Sequence, residues 1–464
     1  MVLQRGHPAA IWGAAAAGEK ITVTYAGQSA STAADAGGKW LVHLPALQPG
    51  KPGELVVTGQ NTIRLRDVVV GDVWFCAGQS NMRRTVGESM NAREEIAAAN
   101  HPDIRHFDVS TSAKDSPADD VQSTAGWQVC APDTAGAFTA AGYFFARDLA
   151  PKIGVPVGIV NIAVGGTPAE AWVSADVLEA PAFASIRERR QKVMDEYSAR
   201  KREHERKLEK WKADGSPGKP PRAPKTPKRN GQNAGLYNGM VAPLRRLAFA
   251  GVLWYQGEGN AARWQTYAEL FSALITQWRR DFARHDFPFY FVQLANFKTK
   301  TPEQQTYVHI REAQARALAL PGTGMAVTID IGEPDNIHPK NKQEVGRRLS
   351  LIALALAYGG KAEYSGPVLS GHKIERDTIR LTFTHADGLT LRAGTNGVSF
   401  EIAGEDKKFV PAQARVENGA LTVNAPGVEK PVAVRYAWHN TPDAVLYNAA
   451  SLPAPPFRTD DWDY

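Results

Sequence analysis

Over the first seventy residues apolar and polar side chains alternate with a period of two. "KITVTYAG", "GGKWLVHLPAL" and "GELVVTGQNTIRLRDVVVG" predict short antiparallel strands separated by Gly- and Pro-rich turns, each with one buried face. From Gly71 to about Gly360 the pattern changes. "VPVGIVNIAVGG", "RLAFAGVLWYQGEG", "FPFYFVQLAN" and "TGMAVTIDIG" are near-continuous apolar runs, and helical periods such as "AGYFFARDLAPKI", "WQTYAELFSALITQWRRDFAR" and "REAQARALAL" lie between them. Strands apolar on both faces, alternating with helices, predict a parallel sheet covered on each side. After Lys361 short alternating strands return in "IRLTFTHADG", "VSFEIAG", "ALTVNA" and "PVAVRYAWHN". The expected organisation is a β-sandwich-like domain over 1–70, an α/β core over 71–360 and a β-rich domain over 361–464.

One segment, about 180–232, interrupts the core. Within it Ile186, Val193, Tyr197, His204, Leu208 and Trp211 recur at helical spacing, which predicts a long helix with a thin apolar stripe. "DGSPGKPPRAPKTPKRNG" follows as an extended, mobile loop. Charge sharpens this picture. The 464-residue chain has a formal net charge of +6, yet 186–229 alone holds 16 Lys/Arg against 7 Asp/Glu, so the remainder is net acidic. Basicity thus belongs to one segment. Its interspersed acids fit a solvated helix better than a nucleic-acid face, and no nucleic-acid partner is expected. The helix over 186–213 is instead a candidate contact for an acidic polymer or another subunit. No apolar run reaches the length of a membrane span; the longest, near Leu349–Tyr358, predicts a buried helix. Cys76 and Cys130 are too few for a disulfide scaffold and match no zinc spacing, leaving either one bridge or two buried thiols.

In parallel sheets chemistry gathers beyond the C-terminal strand ends. Ser80 follows the strand in "GDVWFCAGQSNM", where it is either a helix cap or a nucleophile. The Gly-x-Ser-x-Gly elbow is not met, because Met82 holds the last position. His338 follows another strand in "EPDNIHPKNKQEVG", three residues after Asp335. That spacing lets a carboxylate fold back on Nδ1 and leave Nε2 for a nucleophile, with Asp330 as a rival acid. Gly165 and Gly166 in "IAVGGT", the Gln256 amide in "WYQGEG" and the Ser80 N–H are donors suited to a developing oxyanion. Singly each has a bland structural explanation; together they occupy several tips of one sheet.

"MVLQRGHPAAIWG", "GDVWFCAGQSNM", "VGGTPAEAW", "LYNGMVAPL", "WYQGEGNA", "REAQ" and "IDIGEPDNIHPKNKQEVGRRL" resemble, in order from residue 2 to about 360, the sialate O-acetylesterase family of the SGNH hydrolases. The resemblance implies a three-layer α/β/α core with β accessory domains, no metal or cofactor, and removal of acetyl esters from sugar hydroxyls. It implies that Ser80 is the nucleophile, His338 the base and Asp335 the acid. Some relatives place the acid where this chain has Asn336, which leaves a Ser-His dyad open. The implied oxyanion donors are Ser80, Gly166 and Gln256. Gln79, Asn81, Arg83, Glu258 and Arg311 stand as candidates for substrate binding. Relatives often read Met-Glu-aromatic after the serine, whereas this chain reads Met82-Arg83-Arg84; an Arg fork there would suit an anionic sugar. The family's opening motif normally follows a leader, so an exported protein, periplasmic or extracellular, is expected. The competing expectation is a carbohydrate-binding protein that keeps the hydrolase core only as scaffold.

Overall fold

The computed structural model describes residues 1–227, 229–299, 301, 304–394 and 399–462. Lys228 of the basic segment and Val398, at the start of one expected strand, lie outside them. The long strand Thr62–Gly78 organises the chain. It pairs antiparallel with Gly53–Thr58, then parallel with Val2–Gln4, and from Asp72 onward it is flanked by Val157–Asn161 and Gly251–Tyr255. Burial switches on abruptly along it: residues 62–67 are exposed and 68–78 buried. The expected boundary at residue 70 therefore falls inside a continuous strand.

Six core strands run parallel in the order Thr323–Ala326, Phe289–Val292, Gly251–Tyr255, Thr62–Gly78, Val157–Asn161 and His101–Asp108. Trp127–Cys130 closes the edge antiparallel. The four apolar runs singled out in the sequence all form strands of this sheet. Both faces are apolar because both are covered. On one, Trp74 meets Phe145 and Tyr290, and the helices Ala140–Ile153 and Lys342–Leu356 cross so closely that a Cβ on Gly346 would lie 2.4 Å from the Phe144 Cβ. On the other, Phe75 stacks on Phe249, while Trp254 packs against Phe271 and Trp278 of Tyr267–Asp281. Aromatic pairs of this kind contribute about 0.5–1.5 kcal/mol each beyond area burial. The architecture is a multidomain α/β one: a parallel core sheet flanked by helices, with β-rich regions at both ends.

Those two ends are built differently. The N-terminal strands bury Ile21, Val23, Tyr25, Val42, Leu44 and Leu55 in a cluster of their own. The C-terminal strands contribute Ile379, Leu381, Phe400, Ile402 and Tyr436 to the same cluster as the core. The inserted segment forms the helix Ala184–Ala213, in which only Ile186 is buried. Tyr197, His204, Leu208 and Trp211 are half-covered as the stripe requires, but Val193 lies off it at 38% exposure. The return segment is extended. Pro221, Pro224 and Pro227 are half-buried at every third residue, the period of a polyproline II turn, and the Trp211 indole donates to the Pro217 carbonyl at 2.8 Å. Cys76 and Cys130 are free, buried thiols. No helix among the described residues is long and apolar enough to cross a membrane.

Candidate active site

The corner that carries Ser80 is made by a glycine. Gly78 ends its strand at φ +124°, and a Cβ there would come within 2.3 Å of the Tyr255 carbonyl oxygen on the adjacent strand. Gln79 then leaves the sheet, its N–H bonded to that same carbonyl at 2.9 Å. Its side-chain oxygen accepts from the N–H groups of Gly259 at 3.0 Å and Gly257 at 3.4 Å, which ties the "QGEG" turn to the corner. Ser80 opens the short helix Ser80–Arg83, whose N-cap position is held by Gln79 without a side-chain capping bond. Neither the Ser80 hydroxyl nor its N–H has a hydrogen-bond partner among the described residues. The next tip comes close: a Cβ on Gly165 would lie 3.6 Å from the Ser80 Cβ. Gly165 and Gly166 are exposed, with Gly166 at φ +69°, and their N–H groups too lack acceptors among the described residues.

Behind the serine lies a buried polar cluster. The Asn81 amide donates to Glu258 at 2.6 Å and to the Ile337 carbonyl at 2.9 Å, and its oxygen accepts from the Lys342 ammonium at 2.7 Å. Lys342 also sits over the Tyr255 ring at 5.1 Å. Burial holds the Glu258 carboxyl above the usual carboxylate range and pushes the Lys342 ammonium down to about 7. The Asn81–Ile337 bond joins the residue after Ser80 to the residue before His338, and so brings two distant strand tips together.

His338 is held from the backbone side. Its N–H donates to Asn336 Oδ1 at 3.0 Å, and Asn336 Nδ2 donates to the His338 carbonyl and to Glu333, each at 2.9 Å. The expected carboxylate is not at the ring. Asp335 is exposed and paired with Lys298 at 3.1 Å, and Asp330 is gripped bidentately by Arg348 at 2.6 Å. The bond found at His338 Nδ1 comes from Arg84 at 3.1 Å, and Arg84 also pairs with Glu88. A guanidinium only donates, so a neutral His338 in this arrangement carries its proton on Nε2. Desolvation, then the charges of Arg84 and Lys342, hold the imidazole below its ordinary pKa.

The other expected site residues separate into those that face the corner and those that brace it. Gln256 is fully buried, and its amide hydrogens go to Asn260 at 2.8 Å and to the Thr167 carbonyl at 3.3 Å. Its oxygen accepts from Tyr267 at 2.9 Å. The expected side-chain oxyanion donor is therefore engaged, and what it holds is the turn after Gly166. Gln79 Oε1, the Asn81 amide and Glu258 Oε1 likewise bond to one another's loops, while Glu258 Oε2 is buried without a partner among the described residues. Arg83 gives its fork to Asp108 at 2.7 and 3.0 Å, so the expectation of an anion-reading Arg83 meets an occupied guanidinium. Arg311 is wholly buried. It donates to the carbonyls of Leu294, Ala295, His439 and Asn440, which welds the core to the C-terminal strands. Sequence reasoning missed Lys342 and the Glu170–Asn260 pair at 2.8 Å, and it marked Arg84 only as a departure from relatives. Lys342 had one available signal: a lysine at the start of the helix whose later turns supply the longest apolar run.

Parallel strands flanked by helices, with a serine standing on a glycine-backed strand tip, place the protein among the α/β ester hydrolases. The model of the carbohydrate esterase, sialic acid-specific acetylesterase family matches residues 70–200 and 207–354, and the chain belongs to that family. It is 32% identical to the sialate O-acetylesterase of Rattus norvegicus, with 98% of this chain and 92% of the relative covered. To the Homo sapiens sialate O-acetylesterase it is 30% identical, over 98% of this chain and 90% of the relative. A carbohydrate acetylesterase from Xanthomonas citri has a crystal structure similar across 99% of this chain and 97% of its own, with a TM-score of 0.85 and 38% identity. The protein is an ester hydrolase of carbohydrates.

Proposed function

We propose that this protein removes acetyl groups from sugar hydroxyls through an acetyl-serine at Ser80, on an SGNH-type three-layer core. The observation that carries this reading is the corner itself: an unpartnered hydroxyl and N–H at Ser80, two unpartnered glycine N–H groups beside it, and His338 tied to the same short helix. Ser80 Oγ attacks the acetyl carbonyl carbon as its proton passes to His338 Nε2. The N–H groups of Ser80 and Gly166 receive the negative oxygen. Collapse expels the sugar oxygen, which takes the proton from His338, and water then hydrolyses the acetyl ester by the same route. Gln256 acts as a positioning residue for the 165–167 turn.

No carboxylate among the described residues is hydrogen-bonded to the ring, so we read the pair as a dyad. Arg84 holds the resting tautomer, and Nε2 becomes a base when Nδ1 takes up the proton and Arg84 turns fully to Glu88. The acetylated sugars of sialic acid and of plant-wall polymers such as xylan are substrates of the proposed class. The basic arm over 186–213 is read as a contact for acidic polymer or another subunit, supported by its concentrated positive charge. The test is 4-nitrophenyl acetate hydrolysis by Ser80→Ala and His338→Ala, each expected to lose on the order of 10⁴- to 10⁶-fold in rate. A well-folded Ser80→Ala that retains activity overturns the assignment.

A further inference from the structure

A second cleft, of about 630 Å³, opens where the core meets the C-terminal β-region. Among its lining residues are Trp264, Gln265, Gln304, Glu401, Trp438 and His439. We propose that it is a subsite for the oligosaccharide chain that carries the acetylated sugar; this rests on the esterase reading above. Sugar rings present C–H faces that suit aromatic surfaces and hydroxyl rims that suit planar amides and carboxylates. The cleft offers both. Trp264 is half-buried and held in plane by stacking on His309 at 4.1 Å and 18°. Gln265 and Gln304 are exposed amides at the rim, and His439 pairs with Glu401 at 3.2 Å. The floor is rigid: Arg435 is clamped by Asp460 at 2.8 and 2.9 Å and lies on the Phe409 ring at 3.8 Å. A preformed floor spares a ligand the ordering of its own site.

Two connections run from this cleft to the catalytic corner. The 3₁₀ segment Glu258–Thr266 starts at the turn held by Gln79, kinks at Arg263 and delivers Trp264 and Gln265 to the cleft. Trp264 follows Glu258 by six residues along that kinked path. The loop after Val292 makes the second link. Lys298 N–H donates to the Pro334 carbonyl on the His338 loop at 2.7 Å, while Asn296 Nδ2 donates to the Pro442 carbonyl beside the cleft at 2.8 Å. On this proposal a chain whose acetylated unit sits at Ser80 extends to the cleft, and specificity for polymer over monomer follows.

The experiment is a chain-length series. Acetate release is measured on chemically acetylated cello- and xylo-oligosaccharides of one to six units, with 4-nitrophenyl acetate as the reference ester. For wild type, kcat/KM is expected to climb about tenfold or more between one unit and four. In Trp264→Ala, and separately in the Gln265→Ala/Gln304→Ala double variant, the ratio of tetramer to reference ester is expected to fall by most of that gain. The double variant changes two exposed amides and keeps the test decisive if Trp264→Ala fails to fold. A wild type with no gain in length, or a double variant with the wild-type ratio, overturns the subsite. Failure of the esterase reading shows separately, as wild-type enzyme that does not hydrolyse the reference ester.

Discussion

The serine half and the histidine half of the active site are held by opposite means. Ser80 follows a sheet strand buried for eleven residues and is backed by the buried Asn81 and Lys342 and the half-buried Glu258. His338 sits on a half-exposed loop braced by its own Asn336 and Glu333, and its ring is met by the cation Arg84 instead of an acid. The difference teaches where precision is concentrated. The proposed nucleophile is held by the core, while the proposed base is held by its own loop.

The largest way to break this comparison is Ser80→Ala, whose loss of several orders of magnitude in kcat is set out above. Next comes Asn81→Ala, which leaves Glu258 and Lys342 buried without their shared amide. It should lower stability by about 2–4 kcal/mol in urea unfolding, and a change under about 0.5 kcal/mol would show that the cluster is not rigid. Lys342→Met tests the same half through pH. The folded ammonium titrates near 7 against 10.5 for an ordinary lysine, so between those values the unfolded chain binds more protons. Stability therefore rises with pH across that window in wild type, and the rise flattens in Lys342→Met. On the histidine half, Arg84→Ala removes a positive neighbour, so the acid limb of the kcat/KM profile should move to higher pH. An unmoved limb means that Arg84 does not govern the ring. The smallest effect is expected from Asp335→Asn, within about twofold of wild-type kcat/KM, since that carboxylate faces Lys298; a tenfold loss would restore it to the triad.

Much of this was legible in the chain. Apolar runs around Ile159, Leu253, Phe291 and Met325 marked the strands because a doubly covered sheet needs apolar residues on both faces. The strand His101–Asp108 left no such trace: its burial pattern has three consecutive buried positions, Ile104, Arg105 and His106, and two of them are polar. The Arg105 guanidinium finds Asp67, and the buried His106 stacks on Phe138 at 4.5 Å. Within the site, Ser80, Gly166 and His338 were placed where the sheet puts them. Gln79, Asn81, Glu258 and Arg311, expected at a ligand, brace neighbouring segments, and a family motif records the residues that assemble a corner as strongly as those that touch a ligand. Side-chain direction decides between the two, and one sequence does not carry it. Arg84 was visible only as a departure from relatives, because its partner His338 lies 254 residues away in the chain.

The inserted helix has a consequence for how the molecule moves through solvent. Thirty residues at 1.5 Å each make a spar of about 45 Å, while a compact chain of this length has a radius of gyration of about 23 Å. Frictional drag then exceeds that of a sphere of equal mass. The protein is expected to elute early from a gel-filtration column and to carry a long tail in its scattering distance distribution, with both returning toward the spherical value when the spar is cut away.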